Sequence, residues 1–373
     1  MAHSYTPGLR VAEATVITKE RRLPLRGDVL VSVGQHLTAE EIVARTALPG
    51  NVTPLNAANI LGVTPQEVAA SLLIKPGDAV TKDQIIAQAK SFFGMFKSQL
   101  KAPITGTLES VSEVTGQLIF RDPPIPVEID AYLDGRVTEV FPQEGIEIQA
   151  QGTFIQGIFG IGGETYGTIH MLVNSPQEIL DENKIPVSAA RQILIGGSRV
   201  TLGAVQKAIQ AKAAAIVVGG FSSLDLRKLL GYELGVAITG TEQIGLTLIL
   251  TEGFGEIAMA HRTFDLLQRH EGHLASCSGA TQIRAGVMRP EIIIARKDVT
   301  HHVPHDYEGK GLEPGMLVRV IREPYFGQLG KVTALPSELK PLETEARVRV
   351  MEVQLESGEQ VTLPRANIEI IEN

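Results

Sequence analysis

Between Ile193 and Ala295, apolar runs of strand length alternate with stretches of helical spacing, and polar, glycine-bearing turns separate them. Ile193-Leu194-Ile195 stops at Gly196-Gly197-Ser198-Arg199, and the helical run Thr201 to Lys212 follows. Ala214 to Val218 stops at Gly219-Gly220-Phe221-Ser222 before an amphipathic stretch from Leu224 to Leu230. Val236-Ala237-Ile238 stops at Thr239-Gly240-Thr241-Glu242, and Leu246 to Leu250 stops at Thr251-Glu252-Gly253-Phe254-Gly255. This alternation predicts a parallel or mixed sheet with helices on its faces. The four turns then gather along one edge, around the crevice where open α/β sheets bind ligands.

Before residue 174 the pattern is of strand type, with one internal repeat. Val33 to Ala44 aligns without gaps on Pro76 to Ala87, matching Gly, Thr, Ile and Ala and pairing apolar with apolar. Such self-similarity predicts two copies of one unit packed about a pseudo-two-fold axis. Between them, Thr64-Pro65-Gln66-Glu67 has the form of a capping box with Pro at the first helical position, so a helix is expected through Val68 to Leu72. Asn56 to Leu61 is a second helical stretch, and the pair reads as an insertion that lies over the sheet. The glycine-rich run Gly157 to Gly167 follows β-type sequence and leads into no helix, so its glycines are read as tight bends between strands, not as a phosphate loop. Asn174 to Pro186, bounded by prolines at Pro176 and Pro186, reads as a linker. At the far end Val348 to Leu355 alternates, Glu356-Ser357-Gly358-Glu359 turns, and Gln360 to Leu363 returns as a hairpin.

The fold class expected is therefore multidomain, β-rich plus α/β. Residues 1–173 form a β domain with a helical insertion, 174–186 a linker, 187–297 a central α/β domain, 298–310 a second linker and 311–373 a small barrel. The composition suits a soluble globular protein, with 43% hydrophobic and 20% charged residues. No apolar run reaches the roughly 18 residues of a membrane span, and the N-terminus has no basic stretch leading into an apolar one, so a cytoplasmic protein is expected. The single cysteine, Cys277, excludes an internal disulfide and a multi-cysteine metal site. A net charge of -8 disfavours broad binding to a nucleic-acid backbone.

Candidate chemistry falls mainly at the turns of the α/β stretch. Gly196, Gly197, Ser198 and Arg199 precede a helix and have the makings of a small-anion site. Glu242 and Glu252 end consecutive expected strands and would face each other as a carboxylate pair suited to acid/base work. Arg284 and Arg289 flank a run of small and hydroxyl residues after Cys277, as they would beside a bound anion. A nucleophilic Cys277 would need a nearby cation to depress its thiol pKa. His301, His302 and His305 lie together with Asp298 and Asp306, a composition suited to a divalent metal, although Pro304 breaks any helix that would align them and a solvated linker is preferred. No resident metal and no cofactor are expected.

Two resemblances add to this reading. The form Pro76-Gly77-Asp78-Ala79-Val80, then Ala102-Pro103-Ile104-Thr105-Gly106-Thr107, within roughly Leu25 to Gln151, resembles the biotinyl/lipoyl-like fold, the barrel-sandwich hybrid or hammerhead. In carrier members a Met-Lys pair precedes the Ala-Pro; here Met95 stands in that place and Lys97 is displaced by two, so a structural hairpin is preferred over a swinging arm. The segment Gly315 to Val320, Tyr325 to Val332 and Val361 to Ile371 resembles a KOW domain, the SH3-like barrel of the NusG transcription-factor family and of several ribosomal proteins. That resemblance implies contact with RNA, the ribosome, RNA polymerase or a protein. Seven Lys or Arg against ten Glu in residues 312–373 turn the expectation towards a protein, with Tyr325 and Phe326 presented at the tip as docking aromatics; if one packs inside the barrel, leaving Tyr325 exposed and Phe326 buried, only Tyr325 docks. The chain is thus expected to be a non-enzymatic adaptor that joins a macromolecular partner to a small anionic ligand. The alternatives are an enzyme at the α/β crevice, with Arg199, Glu242 and Glu252 as its groups, and an RNA- or ribosome-associated factor.

Overall fold

The computed structural model describes residues 9–90, 97–232, 242–281, 288–296, 312–320, 322, 324–325, 328–336, 338–341, 347–355 and 357–370. Strands take up 48% of it and helices 13%, so its cores are built chiefly between sheets. No helix among the described residues is long and apolar enough to cross a membrane.

The central unit is organised by four parallel neighbours, Glu164–Met171, Gln192–Ile195, Ala215–Phe221 and Thr247–Phe254. The Ile, Val and Leu runs of the last three are what strands buried on both faces require, whereas Glu164–Met171 is largely polar and partly exposed. Ala215–Phe221 is buried at every position, and the helices Leu202–Gln210 and Ser223–Leu230 make the connections. Each helix starts where a hydroxyl satisfies an orphan amide: Thr201 Oγ1 accepts from Ala204 N and Ser222 Oγ from Asp225 N. After the helix His261–Arg269 the chain returns antiparallel as Leu274–Ser278 and Glu291–Ala295. The edge strand Phe159–Ile161 pairs with Thr247–Phe254, while Gly160 N donates to Thr281 Oγ1 at 2.9 Å and Gly157 N to Pro290 O at 2.8 Å, curling the sheet into a half-barrel. Gly160 permits this closure, since a Cβ there would fall 2.7 Å from Pro290 Cβ and 2.8 Å from Gly279 O.

The sheet runs across the boundary expected at 173. Glu164–Met171 is hydrogen-bonded to Gln192–Ile195, and Gly145–Gln156 to Glu291–Ala295. The expected linker 174–186 is also part of the packing. Ile179–Leu180 pairs with Arg199–Val200, and Leu180 and Ile185 are buried in the central core.

The internal repeat is deeper than twelve residues, and its arrangement is not a pseudo-two-fold pair sharing one core. The chain forms two complete β modules, each with a separate apolar cluster. In the outer module, Val11–Arg22, Gly145–Gln156, Gly135–Phe141 and His36–Leu37 form one layer, and Ile125–Asp130, Ile42–Leu48 and Asp28–Val29 the other. In the second module, Val52–Asn56, Gln117–Arg121, Gly106–Val111 and Ala79–Val80 form one layer opposite the hairpin Ile85–Lys90 and Lys97–Lys101. The second module lies wholly between Leu48 and Ile125, the partners that begin the outer hairpin, so it is nested in a loop of its twin.

The twins share their main turn and closing bonds and differ at one turn, where Tyr132 N donates to Ala39 O in the outer copy and Asp83 N to Ala102 O in the nested one. Gly34 N donates to Val137 O and Gly77 N to Leu108 O; Thr38 N is held by Glu41 Oε1 and Thr81 N by Gln84 Oε1; Ala131 N bonds Glu41 O and Ala102 N bonds Gln84 O. A bulge also coincides, its extra residue being Thr138 between Val137 and Glu139 in one copy and Glu109 between Leu108 and Ser110 in the other. Gly34 and Gly77 both take positive φ, +88° and +96°, at the first turn. The helices Ala57–Leu61 and Pro65–Ser71, capped by Asn56 and by the Thr64/Glu67 box, lie over the nested strands and bury Ala57, Ala58, Leu61 and Val68 in that core.

The C-terminal segment is a six-stranded sheet in which Leu317–Val320, Leu329–Ala334, Arg347–Leu355, Gln360–Pro364 and Ile368–Ile370 surround Val318, Val320, Val332, Met351 and Val353. Val318 and Val320 belong to that core, whereas Arg319 between them points out of it and is nonetheless 2% exposed.

Candidate functional site

The carboxyl ends of the parallel strands do lie along one edge, and the chain itself fills that edge. Gly196 N donates to Val217 O at 2.9 Å, Ser198 N to Glu178 O at 3.0 Å and Thr201 N to Leu180 O at 3.0 Å. Ser198 Oγ donates to Gln177 O at 2.8 Å, and Gly197 has no side chain because one would meet Glu178 O at 2.3 Å. The segment expected to be a linker therefore lies against the glycines expected to cradle an anion. Arg199 is a strand residue, and its guanidinium reaches Glu256 at 3.4 Å across a partly exposed pair. At the helix N-terminus that follows, the anion is internal. Thr201 Oγ1 donates to Glu182 Oε2 at 3.1 Å, and a Cβ on Gly203 would fall 3.2 Å from the same oxygen.

Glu242 and Glu252 do not form a pair. Glu242 precedes the strand Thr247–Phe254, whereas Glu252 is its sixth residue, about 16 Å further along at the usual strand rise. Glu252 is buried, accepts from Ala260 N at 2.9 Å and meets Arg319 Nη2 at 2.5 Å. This ion pair, with side chains 10% and 3% exposed, ties the C-terminal sheet to the end of the central one. An uncompensated charge at either end would be costly, so the pair locks the two surfaces in register.

Cys277 is fully buried in Leu274–Ser278, and burial, reinforced by the Glu291 charge, pushes its thiol well up, so it is no nucleophile. Arg289 is half-buried beside Pro290. Arg284, Phe326 and the histidines His301, His302 and His305 lie outside the described residues. Tyr325, expected exposed, is half-buried against the C-terminal core, and its hydroxyl donates to Glu359 Oε1 at 3.1 Å. Among the described residues no group of three His, Cys, Asp or Glu is arranged to hold a metal ion.

A polar cluster that the sequence reading missed joins the outer module to the central unit. Lys19 Nζ lies 2.6 Å from both oxygens of Glu291, and the buried Tyr132 hydroxyl donates to the same carboxylate at 3.3 Å. Ser276 Oγ donates to Tyr132 O, and Arg21 forms two 2.8 Å bonds with Glu164 while its Nε donates to Asp130 O. Glu40 at the adjoining turn bonds Arg191 and Tyr166. Tyr132 has φ +66°, which for a bulky residue costs on the order of 1–3 kcal/mol and persists only where the surroundings impose it. Burial, with Glu291 beside it, drives the Tyr132 phenol far above its ordinary range, so it stays protonated and serves as a donor. The carboxylates of the cluster are all paired, the Tyr132–Glu291 contact being buried and the Glu164 and Glu40 pairs open to solvent at its rim. The signal that leads to it in the sequence is Ala131-x-x-x-Gly135, which repeats Ala102-x-x-x-Gly106.

Neither the protein-family models nor the curated proteins searched match this chain.

Proposed function

We propose that the chain is a non-enzymatic adaptor: a half-barrel core that carries two barrel-sandwich-type β modules and a KOW-type barrel as fixed docking platforms for a protein partner. The observation that carries this reading is that the polar groups of the strand-end crevice are spent on the chain's own bonds. Glu178, Leu180, Glu182 and Arg319 occupy the donors and the carboxylate that a substrate or anion would use. The small-ligand part of the expected role has no such support, and the docking part has more. Arg319 and Glu252 fix the C-terminal barrel on the core, so a partner bound there meets a rigid surface. The barrel's excess of Glu over Lys and Arg favours a protein over a phosphate backbone.

Filter binding of the full chain to single-stranded RNA and duplex DNA at about 0.15 M salt tests this against the nucleic-acid alternative, with no saturable binding expected. Nuclease-resistant co-purification of a stoichiometric protein supports the adaptor. RNA binding that survives that salt overturns it.

A further inference from the structure

The twin modules differ in one face. In the outer copy, the turn at Ala39–Glu40 and the strand end Asp130–Leu133 meet the central unit through Glu40, which pairs with Arg191, and Tyr132, which bonds Glu291 and Ser276, while Asp130 pairs with Arg21 of its own module and Tyr132 and Leu133 are buried in that module's core. Counting through the shared hydrogen bonds, Ala39 corresponds to Lys82, Glu40 to Asp83, Asp130 to Lys101, Tyr132 to Pro103 and Leu133 to Ile104. The side-chain bond that closes the turn is conserved in kind: Asp134 Oδ1 accepts from Ala39 N and Thr105 Oγ1 from Lys82 N. In the nested copy this face is open, with Lys82, Asp83 and Lys101 exposed and Pro103 and Ile104 half-buried. Ile85 on the adjoining strand is 37% exposed.

We propose that this face of the nested module docks a second protein through an acidic surface with an apolar centre, in the way its twin docks on the half-barrel. The twin supplies the precedent for a folded β surface as occupant. Charge fixes its chemistry: the nested face carries lysines where the outer face has Ala39 and Asp130, and neither Lys82 nor Lys101 is ion-paired among the described residues. Asp83 keeps the sign of Glu40, so the face is positive at two of three charged positions, and the complementary surface presents carboxylates opposite Lys82 and Lys101. Pro103 adds rigidity where the outer copy needs the strained Tyr132, which lowers the ordering cost of binding. This inference extends the adaptor reading to a surface remote in sequence from the C-terminal barrel.

The test is zero-length carbodiimide cross-linking, which joins lysine to carboxylate, on the full chain in native lysate, read by mass spectrometry. Lys82 and Lys101 are expected to link to Asp or Glu of another polypeptide at least about fivefold more often than the exposed Lys212 and Lys228. Lys101→Glu, an exposed substitution that spares the core, is expected to cut the Lys82 link by about fivefold, and Lys212→Glu to leave it unchanged. Linkage at the control rate, linkage confined to the chain's own acids, or linkage to a second copy of this chain each overturns the assignment. Links at Lys331 of the C-terminal barrel without links at Lys82 and Lys101 would leave the adaptor reading standing and remove this one.

Discussion

The outer and nested modules share their strand pairing and a bulge but differ in backbone at the equivalent turns, where strained Tyr132 (φ +66°) stands opposite Pro103 and Asp83 (φ +67°) opposite Glu40; the outer module joins the central sheet and the nested one does not. Their difference separates what makes the fold from what places it. Glycine at the first turn, Thr with Glu or Gln at the second, and the buried pairs Val43/Ile86 and Ala44/Ala87 are common to both and build the frame. Tyr132 and Glu40 bond Glu291 and Arg191 of the central unit, whereas their counterparts Pro103 and Asp83 are half-buried and exposed. The outer module's last strand also runs on, as Gly145–Gln156, into the central sheet, whereas its twin's stops at Arg121.

Breaking the seam at its centre is the largest expected effect. Tyr132→Ala removes a buried ring and its bond to Glu291, and is expected to cost about 3–5 kcal/mol by urea denaturation. The equivalent change, Pro103→Ala, is expected to cost under about 1 kcal/mol. Equal losses would mean that the two faces are not in different states.

A second contrast lies in the strand extension that only the outer module has. Thr153 Oγ1 donates to Glu13 O at 2.8 Å, so it accepts from His270 Nε2 at 3.0 Å, and the buried Nδ1 is left without a partner. Burial, then the charges of Arg296, His273 and Arg269, hold the His270 pKa below its ordinary value against the opposing pull of Glu13. The unfolded chain therefore binds this proton more readily. The neutral histidine's contribution is present above an unfolded pKa of about 6.5 and is lost as pH falls below it towards the folded value. Urea midpoints between pH 8 and pH 5 are expected to fall in wild type and to change less in His270→Gln, by roughly the linkage of one proton. Identical slopes would place the acid sensitivity elsewhere.

The smallest effect is a prediction of sameness. Gly34→Ala and Gly77→Ala each force a Cβ into positive φ at the equivalent turn, and each is expected to cost about 1 kcal/mol, read from hydrogen exchange of Val137 and Leu108 respectively. A clear inequality would show that the twins' frames are not energetically alike.

How much of this was legible in the sequence follows the range of the interactions. The strands at 192–195, 215–221 and 247–254 and the helices between them were readable because their apolar periods and caps are local. The capping box at Thr64 and the hairpin turn at Gly358 were local in the same sense. The repeat was visible only where turn chemistry fixes residue identity. Nesting was invisible because Ile42–Leu48 finds its partner Ile125–Asp130 across the whole of the second module. The crevice misled because an open edge and an edge filled by residues 174–186 have the same strand ends. Glu252 reads as an acid/base group because its partner Arg319 lies 67 residues away in another sheet. Expected strand residues 236–238 and the histidines near 301 lie outside the described residues.

The measurement that bears most directly on the account is the thermal melt of a chain from which residues 51–121 have been excised and Gly50 joined to Asp122. The two crossings are already in contact: a Cβ on Gly50 would fall 2.2 Å from Asp122 O, and Arg121 Nη1 donates to Gly50 O at 3.0 Å. If the nested module is a separate platform carried by a complete twin, the excised chain unfolds cooperatively within about 5 °C of the full one. A midpoint lower by more than about 10 °C, or loss of cooperative unfolding, would mean that the two modules form one core and would contradict the account.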